Sequence, residues 1–181
     1  MRKKILFTVF IMSLFTMQVK AQSVATMSGT SANAGLLIAM TLSETNPLNF
    51  GSSMLATSAG GTVLLPSNST DRQYTGGVAN STATPIATVA SYNVNGTGLE
   101  TYAIVLPSTI IVSHTTVPTG INTMNISLMT ARFNGADSDA TTSTLAADGT
   151  DSFTLGATLT VQEDQVGGTY AGTFQVSVDY N

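Results

Sequence analysis

Two stretches near the C-terminus alternate in step with a β-pleat, while no long segment of the chain alternates in step with a helix. Phe153, Leu155, Ala157, Leu159 and Val161 share one face, with Ser152, Thr154, Gly156, Thr158 and Thr160 on the other. Tyr170, Gly172, Phe174, Val176, Val178 and Tyr180 then alternate with Ala171, Thr173, Gln175, Ser177 and Asp179. Successive side chains of a strand point to opposite faces, so both stretches are predicted to be half-buried strands. Residues 163–168 would turn one into the other as a C-terminal hairpin, tying the terminus into a sheet.

Shorter runs repeat the pattern between clusters of Gly, Pro, Asn, Asp and Ser. Leu36, Ile38, Met40 and Leu42 form the first, and Leu48-Asn49-Phe50-Gly51 is an extended piece. Thr62 to Leu65 follows Gly60-Gly61, and residues 88–94 end at Asn95-Gly96, a dipeptide that accepts positive φ. Tyr102, Ile104 and Leu106 alternate up to Pro107, residues 110–114 follow, and Met124, Ile126 and Leu128 form a further run. The expected fold is all-β: a single immunoglobulin-like antiparallel β-sandwich of about seven to nine strands over residues 36–181. Residues 22–35 are small and polar and read as a flexible N-terminal arm. Residues 134–150, rich in Ala, Asp, Thr and Gly, read as a long exposed loop.

The N-terminus carries Arg2, Lys3 and Lys4, an apolar run over residues 5–17 and Val19-Lys20-Ala21. That is the pattern of a secretory signal peptide over residues 1–21, cut before Gln22 and too short to span a bilayer. No transmembrane segment is expected after cleavage, and a chain without cysteine has no lipoprotein cleavage site. Four of the six basic residues leave with the signal, so Arg72 and Arg132 face all ten acids, a formal charge of 2 − 10 = −8. Such a chain has no basic footprint for phosphate, which argues against nucleic acid as a partner. The missing cysteines also mean that stability rests on the core rather than on disulfides.

Few residues invite a chemical reading. His114 is the sole histidine, so no cysteine–histidine zinc cluster can form around it, and it reads as a strand-end residue. Serines are abundant, yet no Gly-x-Ser-x-Gly elbow accompanies them. Asp137, Asp139, Asp148 and Asp151 gather around the 134–150 loop and are the only calcium candidates, with spacing unlike an EF-hand. No catalytic group and no cofactor are expected.

Taken in order, several landmarks resemble a known family. They are Leu48-Asn49-Phe50-Gly51, Gly60-Gly61-Thr62-Val63, Tyr102-Ala103-Ile104-Val105-Leu106-Pro107 and Leu155-Gly156-Ala157-Thr158-Leu159. Gly168-Thr169-Tyr170-Ala171-Gly172-Thr173-Phe174 and Val176-Ser177-Val178-Asp179-Tyr180-Asn181 complete the set. The chain resembles, over about residues 36–181, a secreted bacterial family known as a domain of unknown function, DUF4402. More loosely it is similar to chaperone–usher pilins and spore-coat-type domains, in which the last strand ends on a penultimate aromatic, here Tyr180, with a glycine upstream, here Gly168. That similarity implies a sandwich lacking one strand, which another subunit donates. The paired cysteines common in pilins are absent here.

The function expected is that of an exported, non-enzymatic structural or adhesive surface protein, pilin-like, assembling through strand edges. Gly168, Tyr170, Phe174, Val176, Val178 and Tyr180 are its assembly candidates, and other subunits or a periplasmic chaperone its partners. Its location would be the periplasm, the outer-membrane surface or the extracellular space. The alternative is a monomeric secreted module binding a carbohydrate or calcium through residues 134–150. A glycosidase, which needs two carboxylates facing one cleft, is a third class; strand-borne acids are few, and Asp179 on the polar face of the last strand is one with no assignable partner.

Overall fold

A computed structural model describes residues 29, 31–52, 54–80 and 86–181 of the chain. The signal peptide expected over residues 1–21 and most of the arm after it lie outside the described residues. The chain divides into Met1–Gly35 and Leu36–Asn181, and the second unit carries every strand described here.

That unit is built of antiparallel strands in two sheets, and no helix occurs among the described residues. The organising element is β9 (Thr150–Val161), the alternating run with five apolar residues on its inner face. On one side it pairs with β7 (Thr123–Phe133). On the other it pairs first with β4 (Ala90–Asn95) along its N-terminal half, then with β2 (Leu55–Leu65) along its C-terminal half. Outward from these lie β1 (Thr41–Asn46) on β4, β3 (Gln73–Ala79) on β2, and β6 (Thr109–His114) on β7. β10 (Tyr170–Ala171) closes the far side on β6. The second sheet is β5 (Thr101–Val105) flanked by β8 (Thr142–Thr144) and β11 (Ser177–Tyr180).

The changeover from β4 to β2 falls at Gly156. There the chain leaving β2 crosses the outer side of β9, so a Cβ at Gly156 would overlap the Ser67 amide and the Leu65 and Pro66 carbonyl groups. Only glycine permits that approach.

The core has two lobes. Between the sheets, Tyr102 and Ile104 of β5 and buried Leu145 meet Val94, Ala131, Phe133, Phe153 and Leu155. Phe153 stacks on Tyr92 with centroids 5.1 Å apart, and Phe133 meets Phe153 and Tyr102 edge-on, each at 5.7 Å. Such arrangements are favoured by the ring quadrupole. The other lobe holds Val63, Leu65, Ile110, Val112, Ile126, Leu159 and Val161, along with Phe50 and Ala87 from irregular chain beside the isolated Asn49–Thr88 bridge. Phe174 packs on both lobes.

Several expectations are corrected. Residues 170–180 are not one strand, and they form no hairpin with β9: β10 pairs with β6 and β11 with β5. Period-two alternation reports which face is buried, not which strand lies alongside, and it persists while the chain passes from one sheet to the other. Residues 134–150 are not a free loop. They turn at Gly135, bond back to β7 through Ala140 N–H and Ala131 O, hold Ile104 through Thr141 O, and form β8 before entering β9. Leu145 within them is buried. The first strand starts at Thr41 rather than Leu36, and Leu36 and Ile38 are exposed. β3 was not legible, because Gln73–Ala79 holds two glycines and just two large apolar residues. The strands described number eleven, with β8 and β10 only three and two residues long.

Candidate functional site

The C-terminal edge of the small sheet is the site the structure develops furthest. Asn181 N–H donates to Thr101 O, and Asp179 and Ser177 stand opposite Ala103 and Val105. In an antiparallel ladder a residue turns both its main-chain groups toward the partner or both away. Asp179 and Ser177 therefore face β5, while Val178 and Tyr180 turn their N–H and C=O to the open side. Upstream, residues 173–176 belong to no strand, and their main chain has no hydrogen-bond partner among the described residues. On the core side, Phe174, Val176, Val178 and Tyr180 are all half-buried.

The far end of this edge is anchored. The Tyr180 hydroxyl accepts from Thr97 N–H at 2.6 Å and donates to Ile38 O at 2.6 Å. Ile38 N–H in turn donates to Thr97 Oγ1 at 2.6 Å. Gly96 lies under the phenol, where a Cβ would overlap its oxygen. The Asn95-Gly96 turn seen in the sequence thus serves to admit Tyr180.

Gly168 and Tyr170 belong to a different place, the end of β6. A Cβ on Gly168 would overlap the His114 ring. Tyr170 packs edge-on against that ring at 5.0 Å, with its hydroxyl donating to Val166 O at 2.5 Å and accepting from Gln165 Nε2 at 2.7 Å. His114 Nδ1 accepts from Thr116 and Val117 N–H at 3.1 and 3.0 Å, so Nε2 carries the proton and donates to Gly167 O at 3.1 Å. The six assembly candidates therefore divide: four line the open edge, and two hold a turn.

The four aspartates are not brought together. Asp139 Oδ1 accepts from Arg132 Nε at 2.8 Å and from buried Ser67 Oγ at 2.6 Å, which straps the chain crossing Gly156 to β7. Burial pushes the Asp139 carboxyl up, but the hydrogen bonds from Ser67, Arg132 and Thr130 and the guanidinium charge outweigh it and hold it below the usual range. Asp148 caps its own turn on Thr150 N–H and Oγ1 at 3.1 and 2.7 Å, and those bonds hold its carboxyl low as well. Asp151 Oδ2 accepts from buried Tyr102 at 2.9 Å and from Ser143 Oγ at 2.7 Å. Asp137 lends its main-chain oxygen to Arg132 Nη1 at 3.1 Å. No group of three or more acidic or histidine side chains is placed to hold a metal among the described residues.

Over the outer side of β4 and β9 lies a shallow depression lined by Ser43, Asn93, Asn95, Asn134, Thr144 and Thr150, among others. Most of the lining is amides and hydroxyls, with the carboxylate of Asp151 among them. Sequence reading missed this face, since outward polar positions carry no period of their own beyond the strand's. Ile38 and Thr97 were missed as partners of Tyr180 because 142 and 83 residues separate them from it.

An antiparallel β-domain whose last strand lies at an apolar-backed sheet edge is the class that this geometry defines. The family model for the domain of unknown function DUF4402 matches residues 40–180, and the chain belongs to that family. No curated protein and no solved structure matches it. No helix among the described residues is long and apolar enough to cross a membrane.

Proposed function

We propose that this chain is an exported, non-enzymatic structural or adhesive surface protein that assembles through strand edges. The observation carrying this reading is the row of main-chain groups at Val178, Tyr180 and residues 173–176 without a partner among the described residues, backed by half-buried Phe174, Val176 and Val178. Strand addition takes its affinity from such main-chain groups and its specificity from alternate side-chain positions. Of the polar residues that first suggested chemistry, the side chains of His114, Asp139, Asp148 and Asp151 are engaged in internal hydrogen bonds. The signal pattern at residues 1–21 supports export. Fractionation of cells making the full chain, with electron microscopy of their surface, tests it: surface-borne polymer is expected, and a chain that stays dispersed inside the cell would sink it.

A second reading, a secreted carbohydrate-binding module, is favoured by the depression that Asn93, Asn134 and Thr150 line with amides and a hydroxyl beside the Asp151 carboxylate. A glycan array probed with the mature chain checks it, with Asn93→Ala expected to weaken any glycan retained.

A further inference from the structure

We infer that Asn134 is a site of self-modification, at which the Gly135 nitrogen closes a ring on the Asn134 side chain and the side-chain amide is lost as ammonia. This goes beyond the strand-edge reading and does not depend on it. An asparagine followed by glycine is open to the reaction because no Cβ hinders the attacking nitrogen. Two such pairs occur in the chain, Asn95-Gly96 and Asn134-Gly135. They are alike in sequence, and the fold separates them.

At Asn95 the main chain is held on every side. Asn95 is the last residue of β4 and pairs with Thr41 on one flank and Thr150 on the other. The Gly96 N–H donates to Gly149 O at 2.9 Å, and the Tyr180 phenol covers Gly96. Its nitrogen reaches the Asn95 side chain only by leaving that bond and the ladder beside it. Asp148-Gly149, where the same ring would close with loss of water, is tied in the same way, its Gly149 N–H on Ala146 O at 2.9 Å.

At Asn134 these restraints are missing. β7 ends at Phe133, and Asn134 and Gly135 are the central residues of a turn closed by Ala136 N–H on Phe133 O at 3.0 Å. Asn134 is exposed, and neither its side-chain amide nor the Gly135 N–H has a hydrogen-bond partner among the described residues. Gly135, at a φ of 75°, has open space where a Cβ would stand. Rotation of the 134–135 peptide toward the ring disturbs a single turn bond rather than two ladders.

A bond forms between Gly135 N and Asn134 Cγ while the Cγ–Nδ2 bond breaks. The departing nitrogen takes the Gly135 amide proton through solvent and leaves as ammonia. Water then opens the ring, at Cγ to give aspartate or at the main-chain carbonyl carbon to give isoaspartate. Either product adds a carboxylate to the depression that Asn134 lines with Asn93 and Thr150 beside Asp151. Isoaspartate also lengthens the main chain just after the Asn134 N–H, which donates to Ser152 O at 2.8 Å.

The test keeps the full chain folded at mildly alkaline pH and samples it over weeks. Pepsin digestion and mass spectrometry read the exchange of NH2 for OH, and electron-transfer fragmentation separates aspartate from isoaspartate. Asn134 is expected to convert, and Asn95 to convert at least about tenfold more slowly, since an anchored amide must first break its bond. In urea, with the chain unfolded, the two should convert at comparable rates. Asn134→Gln, a change at an exposed side chain, should leave the unfolding midpoint in place and remove the acidic species that accumulates in wild type. Equal rates at Asn95 and Asn134 in the folded chain would overturn the inference. So would an Asn134 that the fold protects as strongly as Asn95, or an acidic species undiminished in Asn134→Gln.

Discussion

The hydroxyl of Tyr180 donates to the carbonyl of Ile38 at 2.6 Å across 142 residues of chain, joining the last strand to the segment that precedes the first. It also accepts the Thr97 amide at 2.6 Å, so one oxygen closes one end of the sandwich. Tyr180→Phe keeps the ring packing and removes both bonds. It should lower stability by about 1–3 kcal/mol, since a part-buried amide loses its acceptor. Urea unfolding measures the loss, and amide exchange at Ile38 should quicken more than at Val63.

Gly156→Ala is expected to be among the most damaging single-methyl changes in the chain. Its Cβ meets main-chain atoms of residues 65–67 rather than a movable side chain. A cost of about 3 kcal/mol or more follows from overpacking against backbone. Gly135→Ala, with open space around its Cβ, serves as the comparison, suffering only from its positive φ of 75°. Thermal unfolding of both variants should rank Gly156→Ala well below Gly135→Ala.

The Asp139 strap gives an acid dependence of known sign. Its carboxyl is held below its ordinary value, so its contribution is present above about pH 3.9, the unfolded reference. That contribution is lost as pH falls through the lower folded value. Asp139→Asn should therefore be less stable than wild type at neutral pH, and the gap should close in acid. The side chains of Arg132 and Asp139 are 23% and 35% exposed, so solvent screening keeps the effect small, about 1 kcal/mol at most. Denaturant midpoints at neutral pH and below pH 3 provide the check; a gap that widens in acid would contradict it.

Leu128 sits inside β7 with φ at 51° and 73% exposure, where the pairing with β9 shifts register between Ser127 and Thr130. Left-handed backbone costs a leucine about 1–2 kcal/mol, and its side chain recovers little there. Leu128→Gly should thus be neutral or stabilising by up to about 1 kcal/mol, although mid-strand glycine ordinarily weakens a strand. Thermal unfolding decides the sign.

Alternation made β9 legible from Ser152 to Val161, because its inner face is buried from Phe153 onward, while Thr150 at its start read as the end of the preceding loop. The same pattern made residues 170–180 look like one strand, since Tyr170, Phe174, Val176 and Tyr180 do all face the core. What changes between them is the neighbouring strand, about which side-chain period says nothing. Residues 134–150 misled in the opposite direction. Their small polar composition is that of a loop, yet they carry Leu145 into the core and tie β7 to β5 through main-chain bonds that no composition records.

Composition and period alone thus established an all-β, cysteine-free chain with little charge, because burial on one face of a pleat leaves a two-residue signature in any sequence. Which edges pair and which stay open was decided only in three dimensions. Main-chain hydrogen bonds are blind to side-chain identity, so β5 takes β11 for reasons of chain path, and the outer main-chain groups of Val178 and Tyr180 have no partner among the described residues. Asp139 and Asp151 likewise acquired their roles from Ser67 and Tyr102, 72 and 49 residues away, contacts set by the fold rather than by spacing along the chain.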